Sequence, residues 1–193
     1  MGKLFYFGRQ RLERTNVMEI QKIKELSDKY LNEQVRLLAR FASIDCESND
    51  IEGNRKIVDI VKEILAGIDG ISMEEVFFEG TGTHLIAWFR PENPNGKVVL
   101  NAHLDTVFPA GFAEKYPPYT DEENWLHGLG TGDCKGGVAV SAFAVKIASE
   151  LGLLPNKEIV MIYSCDEEIG SGTGRKVFEK YAAGAECAYV FES

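Results

Sequence analysis

The apolar run Val98-Val99-Leu100 passes abruptly into Asn101-Ala102-His103-Leu104-Asp105-Thr106-Val107, so a buried strand delivers an imidazole and a carboxylate at its C-terminal end. Open α/β sheets place ligands beyond the carboxyl ends of their strands, which makes this end the natural place for chemistry. Side chains alternate along a strand. His103 and Asp105 therefore point to the same side, where the carboxylate can accept the second ring N–H of the histidine. A histidine held in this way is a good metal ligand. Taken alone, such a pair is more often a strand-end histidine beside a solvated aspartate, and the rest of the chain shifts that balance.

Residues 1–17 are basic and aromatic and read as a leader or surface arm, without the continuous apolar core of a signal peptide. From Met18, the spacing of Ile23, Leu26, Tyr30, Leu37, Leu38 and Phe41 predicts a long amphipathic helix packed on a sheet, broken by polar residues from Cys46 to Asn54. Ile57, Ile60, Val61, Ile64 and Leu65 give a second helix that closes near Gly67 and Gly70. Glu75–Glu79 and His84–Phe89 then read as strands separated by Gly80-Thr81-Gly82-Thr83, and Pro94-Asn95-Gly96 turns the chain into the Val98 strand. This predicts an antiparallel meander. His84 is far in sequence from the other polar clusters and reads as structural, and His127 as a solvent-exposed loop histidine near the site.

The second half alternates strands with helices. Gly128-Leu129-Gly130-Thr131-Gly132-Asp133-Cys134-Lys135-Gly136-Gly137 leads into an alanine- and valine-rich helix that reaches about Leu151. Its glycines do not follow the spacing of a dinucleotide fingerprint, and an aspartate at a helix entrance repels a phosphate but suits a cation. Glu158-Ile159-Val160-Met161-Ile162-Tyr163 is a near-continuous apolar strand, as in a sheet covered on both faces, and it runs into Asp166-Glu167-Glu168. A further helix from about Thr173 to Ala183 precedes a last strand, Ala188 to Phe191, and then Glu192. The expected fold is α/β, a three-layer αβα arrangement with a mixed, largely parallel sheet.

Composition excludes several classes. A net charge of −9 argues against a nucleic-acid backbone as partner, because phosphate binding needs clustered Lys and Arg. No run approaches membrane-spanning length. Cys46, Cys134, Cys165 and Cys187 show no paired spacing, which fits reduced thiols in a cytoplasmic protein without disulfides.

His103, Asp133, the Asp166–Glu168 cluster and Glu192 all fall at strand ends or just beyond them. One imidazole with several carboxylates suits a borderline divalent ion, zinc first, with cobalt or manganese as substitutes. Two zinc ions would be balanced by Asp133, Glu168, Glu192 and a hydroxide. Glu167 and Glu168 are neighbours whose side chains diverge, so Glu168 can hold metal while Glu167 reaches the water as general base.

His103-Leu104-Asp105-Thr106-Val107, Gly128-x-Gly-x-x-Asp133-x-Lys-Gly-Gly137, Asp166-Glu167-Glu168-x-Gly170-Ser171 and Phe191-Glu192 together resemble the successive motifs of the dinuclear zinc aminoacylase and carboxypeptidase family, which includes carboxypeptidase G, acetylornithine deacetylase and succinyl-diaminopimelate desuccinylase. The resemblance covers roughly Met18 to Ser193 and implies a zinc-dependent hydrolase that cleaves amide bonds of N-acyl amino acids or small peptides. It implies that His103, Asp133 and Glu192 hold one metal, that Asp133 bridges to a second held by Glu168, that Asp105 orients His103, and that Glu167 is the catalytic base. It further implies a cis peptide between Asp133 and Cys134. Family members continue into a lid or dimerisation domain and return with a last histidine for the second metal. The expectation is therefore that residues 18–193 form the N-terminal portion of the catalytic domain, binding one ion tightly and lacking its C-terminal part. An inactive metal-binding fragment or pseudoenzyme, needing a C-terminal complement or a homodimer through the missing lid, is the alternative.

Overall fold

The computed structural model describes the backbone of residues 3–192 and side chains from Val17 to Glu192. The first helix, α1 (Lys3–Ala42), takes the predicted amphipathic stripe and turns Tyr30, Leu37 and Phe41 inward. The expected arm at residues 1–17 falls, in its side chains up to Asn16, outside the described residues. Helix α2 (Ile51–Leu65) starts where the Asp50 side chain accepts Gly53 N at 2.9 Å, satisfying one of the free donors of the first turn. It buries Ile57, Ile60, Val61 and Leu65. Among the described residues no helix is long and apolar enough to cross a membrane.

Five strands form the main sheet: β1 (Ile71–Phe77), β2 (Thr83–Phe89), β3 (Lys97–His103), β6 (Glu158–Ser164) and β7 (Cys187–Val190), in the spatial order β1-β2-β6-β3-β7. A separate hairpin pairs β4 (Tyr119–Thr120) with β5 (Leu126–His127). The remaining helices are the short α3 (Phe112–Lys115), α4 (Gly136–Glu150) and α5 (Gly174–Tyr181). Leu85, Ala87, Met161 and Tyr163 pack with α1, α2 and α4 on one face of the sheet, while Ile86, Trp88, Val160 and Ile162 meet Val177 and Tyr181 of α5 on the other. This is the αβα layering expected from the alternating elements, and the period of two along each strand sorts the two faces.

The expected meander is corrected. β1 and β2 do form an antiparallel hairpin, but β3 does not lie beside β2. β6 inserts between them, antiparallel to β2 and parallel to β3. The reason is burial. From Ile159 onward every residue of β6 is buried, and a strand apolar on both faces belongs at the centre of a covered sheet. β1 also begins four residues earlier than the predicted Glu75, because an edge strand with alternating exposure carries only Ile71 and Met73 as apolar signal there.

Two residues around the glycine-rich turn set the chain paths beside the end of β3. Lys135 is fully buried, and its ammonium donates to the carbonyls of Phe41 and Ile44, each at 3.0 Å, at the C-terminal end of α1. A cation there satisfies carbonyls left open by the helix end and complements the negative pole of its dipole. Gly137, at the start of α4, admits the chain leaving β7: a Cβ on it would stand 2.0 Å from the carbonyl oxygen of Phe191. Replacing Lys135 by methionine removes both donors while keeping the bulk. Hydrogen bonds to a charged group contribute roughly 1.5–3 kcal/mol each, partly offset by the relief of burying the charge, so a net loss of about 2 kcal/mol is expected. It would be read as a lower midpoint in urea, and an unchanged midpoint would contradict the capping role.

Candidate metal centre

The end of β3 carries the site. His103 pairs in register with Ser164, and Leu104 N donates to Ser164 O at 2.8 Å, so the turn after β6 emerges beside the imidazole. His103 and Asp105 are both buried. The His103 Nδ1 lies 3.0 Å from the Asp105 carbonyl oxygen and 3.3 Å from Asp105 Oδ1, so Nδ1–H donates there and Nε2 faces outward.

Asp105 does more than face the histidine. Its Oδ2 accepts from Ser48 Oγ at 2.6 Å and from Glu168 N at 3.1 Å, and its Oδ1 accepts from Glu167 N at 3.2 Å. Burial alone would raise the pKa of this carboxyl group, but His103, Ser48 and the Glu168 amide outweigh it and hold the group below the usual carboxylate range. Burial likewise works against a charged His103, yet hydrogen bonding to Asp105 and Cys134 prevails and raises its pKa well above the ordinary histidine value.

Three carboxylates gather in front of Nε2. Asp133 Oδ1 stands at 2.8 Å, Glu192 Oε2 at 3.3 Å and Glu167 Oε2 at 3.8 Å. Donor atoms of His103, Asp133 and Glu168 lie within 4.8 Å of one another, as do those of His103, Cys134 and Glu192. Burial, and then the neighbouring Asp133 carboxylate, raise the Glu168 carboxyl above its ordinary value. Acids this close are mutually destabilising without positive charge between them. A borderline divalent ion fits a set of one imidazole nitrogen and several carboxylate oxygens, whereas a phosphate does not. The Asp133–Cys134 peptide bond is cis.

All the residues singled out by sequence, His103, Asp105, Asp133, Glu167, Glu168 and Glu192, converge here. Asp166, their neighbour, does not. Its carboxylate accepts from Thr173 N, Thr173 Oγ1 and Gly174 N at the start of α5. His84 is buried as expected, but it is not remote from the acids: Nε2 contacts Thr173 Oγ1 at 2.8 Å, directly behind Asp166. His127 pairs with Asp121 at 2.7 Å, stacks on Tyr119 and lines a cleft of about 460 Å³ with Tyr116 and Pro118. Sequence reasoning missed Ser48, hidden in a polar stretch that reads as a helix break, and Cys134, which donates through Sγ to His103 O and accepts from His103 N. The only available signal for Cys134 was its place next to Asp133.

Comparison with known proteins gives matches in sequence and in fold. Residues 99–193 match the profile of Peptidase family M20/M25/M40. The chain is 33% identical over 95 residues to carboxypeptidase G2 of Pseudomonas sp. (strain RS-16), a match covering 49% of this chain and 23% of that protein. It is 31% identical over 88 residues to a probable carboxypeptidase S-like 2 of Dictyostelium discoideum, covering 44% and 17% of the two chains. Among solved structures, human carnosine dipeptidase 1 superposes with a TM-score of 0.75 at 19% identity, covering 90% of this chain and 41% of that one. The M20 family metallo-carboxypeptidase Sso-CP2 of Sulfolobus solfataricus gives 0.69 at 22% identity, covering 83% and 37%. The structures share the fold. The chain spans less than half the length of each of these relatives.

The Asp105→Asn substitution keeps the shape but turns an acceptor into a donor, leaving at least one of Ser48 Oγ, Glu167 N, Glu168 N or His103 Nδ1 without a partner. Unsatisfied buried groups cost about 1–3 kcal/mol, and loss of a ligand-orienting partner weakens metal binding about 10–100-fold. Chelator competition with zinc and urea denaturation would read the two losses separately. Neither should be absent if the carboxylate organises the site.

Proposed function

We propose, from the match of residues 99–193 to Peptidase family M20/M25/M40, that residues 18–193 are the metal-binding portion of a zinc-dependent amidohydrolase acting on N-acyl amino acids or small peptides. The observation that carries this reading is the convergence of Asp133, Glu192 and Glu167 within 2.8–3.8 Å of His103 Nε2. Such a set serves no packing purpose. Asp133 and Glu192 would join His103 around one ion, and Asp133 would bridge to a second held by Glu168. When bound, the metal supplies polarisation of the scissile carbonyl and a water acidified towards neutral pH.

The chain's own residues account for the remainder of the chemistry. Asp105 keeps the Nδ1 proton on His103, so that Nε2 is the ring nitrogen that would give up its proton to hold a metal. The Glu167 backbone is held by Asp105, while its side chain is about half exposed and open to an entering substrate. Its carboxylate takes the proton of the attacking water as the new C–O bond forms, then returns it to the amide nitrogen as the C–N bond breaks. Three donors serve the first ion and two serve the second among the described residues, so one ion binds tightly. Cobalt or manganese would substitute for zinc in such a donor set. The buried, unbridged Cys46, Cys134 and Cys165 suit a reducing cytoplasm.

A second reading is a metal-binding fragment that turns over only with a C-terminal complement or in a homodimer. Among the described residues the second ion would have only Asp133 and Glu168 as carboxylate donors, which favours it. Zinc content and hydrolysis of N-acyl amino acids and dipeptides, measured on this chain with added zinc, test both. Turnover that falls at least about 100-fold in Glu167→Gln, with zinc content retained, is the expected result for the first reading. Bound zinc without turnover until a complementing C-terminal polypeptide is added would favour the second. Two equally tight ions per chain would contradict the donor count.

A further inference from the structure

We infer that Cys134 is a positioning residue that ends the β3–β7 ladder and fixes the backbone of His103, so that Glu192 can turn in toward the ring. The inference rests on the metal-site reading above but is carried by separate geometry. β3 and β7 pair in parallel from Val98↔Cys187 to Asn101↔Val190, and Phe191 N donates to Asn101 O at 2.8 Å. His103 lies two residues beyond Asn101, on the same edge of β3. A continued parallel ladder would set His103 N against Phe191 O.

That bond is replaced. His103 N donates to Cys134 Sγ at 3.0 Å, and Cys134 Sγ donates to His103 O at 3.3 Å. One thiol therefore occupies both backbone groups that a strand would have used. These groups are buried, and unpaired they would be costly. Phe191 O lies instead against Gly137 of α4, where no side chain blocks it. The chain thus leaves β3 at Phe191, and the next residue, Glu192, reaches His103 Nε2 at 3.3 Å. Asp133, preceding Cys134, meets the same nitrogen at 2.8 Å. Two consecutive residues grip His103, one through its ring and one through its backbone. Sulfur suits this task because its longer bond spans a gap that a serine oxygen would not close.

The test compares wild type, Cys134→Ala, Cys134→Ser and Val138→Ala, the last removing volume from the same core at a side chain that has no hydrogen bond to lose. Two readouts are taken: amide hydrogen exchange of His103 in the metal-free protein, and cobalt(II) binding followed by absorption. Cys134→Ala is expected to lose protection at the His103 amide at least tenfold and to bind cobalt about 10–100-fold more weakly. Cys134→Ser should fall between it and wild type, and Val138→Ala should leave both readouts unchanged. Equal exchange at His103 in wild type and Cys134→Ala would overturn the proposal. So would a near-ultraviolet thiolate-to-cobalt band in wild type, which would place the sulfur on the ion rather than on the backbone. A wild-type chain that binds no cobalt would overturn the metal reading of the site, and the exchange data would still decide the role of Cys134.

Discussion

A single buried carboxylate, that of Asp105, ties together three segments that are distant in sequence. Ser48 comes from the turn after α1, His103 from the end of β3, and the Glu167 and Glu168 amides from the turn after β6. An ionised acid inside a protein is tolerated only when donors surround it. Here the donors belong to the parts whose relative placement matters, so the requirement to satisfy one charge also sets the geometry of the others. The imidazole and the backbone of the two glutamates are held by the same residue.

The remaining acids stand in a different environment. His103 is 1% exposed, whereas the Asp133, Glu167 and Glu192 side chains are 58%, 48% and 38% exposed. The nitrogen donor is rigid and dry, and the oxygen donors line an opening. Solvent moderates their mutual repulsion, and an ion entering from water meets a cluster that already carries the compensating charge. A rigid base for the ligand set, with open carboxylates in front, is what a centre needs if both an ion and a substrate must reach it.

Much of this was legible in the sequence because strand-end chemistry leaves a sharp signal. His103, Asp133, Glu167, Glu168 and Glu192 each follow an apolar run or a glycine-rich turn, and alternation along the strand put Asp105 on the side of His103. The order of the strands was less legible. Local patterning identifies β6 as a doubly buried strand, but only the competition among all strands for the centre places it between β2 and β3. Asp166 sits among equivalent-looking acids, and nothing in the triplet distinguishes the one that caps α5 from the two that face the site. Ser48 and Cys134 act through hydrogen bonds to residues 57 and 31 positions away, a distance over which sequence pattern carries no information.

The buried ammonium of Lys135 has one more effect. It is two residues from Asp133, and it anchors that loop to the carboxyl end of a 40-residue helix. Farther back, Tyr30, Glu33 and Arg40 hold the same helix to Glu150 and Lys146 of α4 and to Glu63 of α2, so it is seated along its C-terminal half. The loop that carries Asp133 inherits its position from that seating, and the carboxylate in front of His103 is placed in part by packing remote from it.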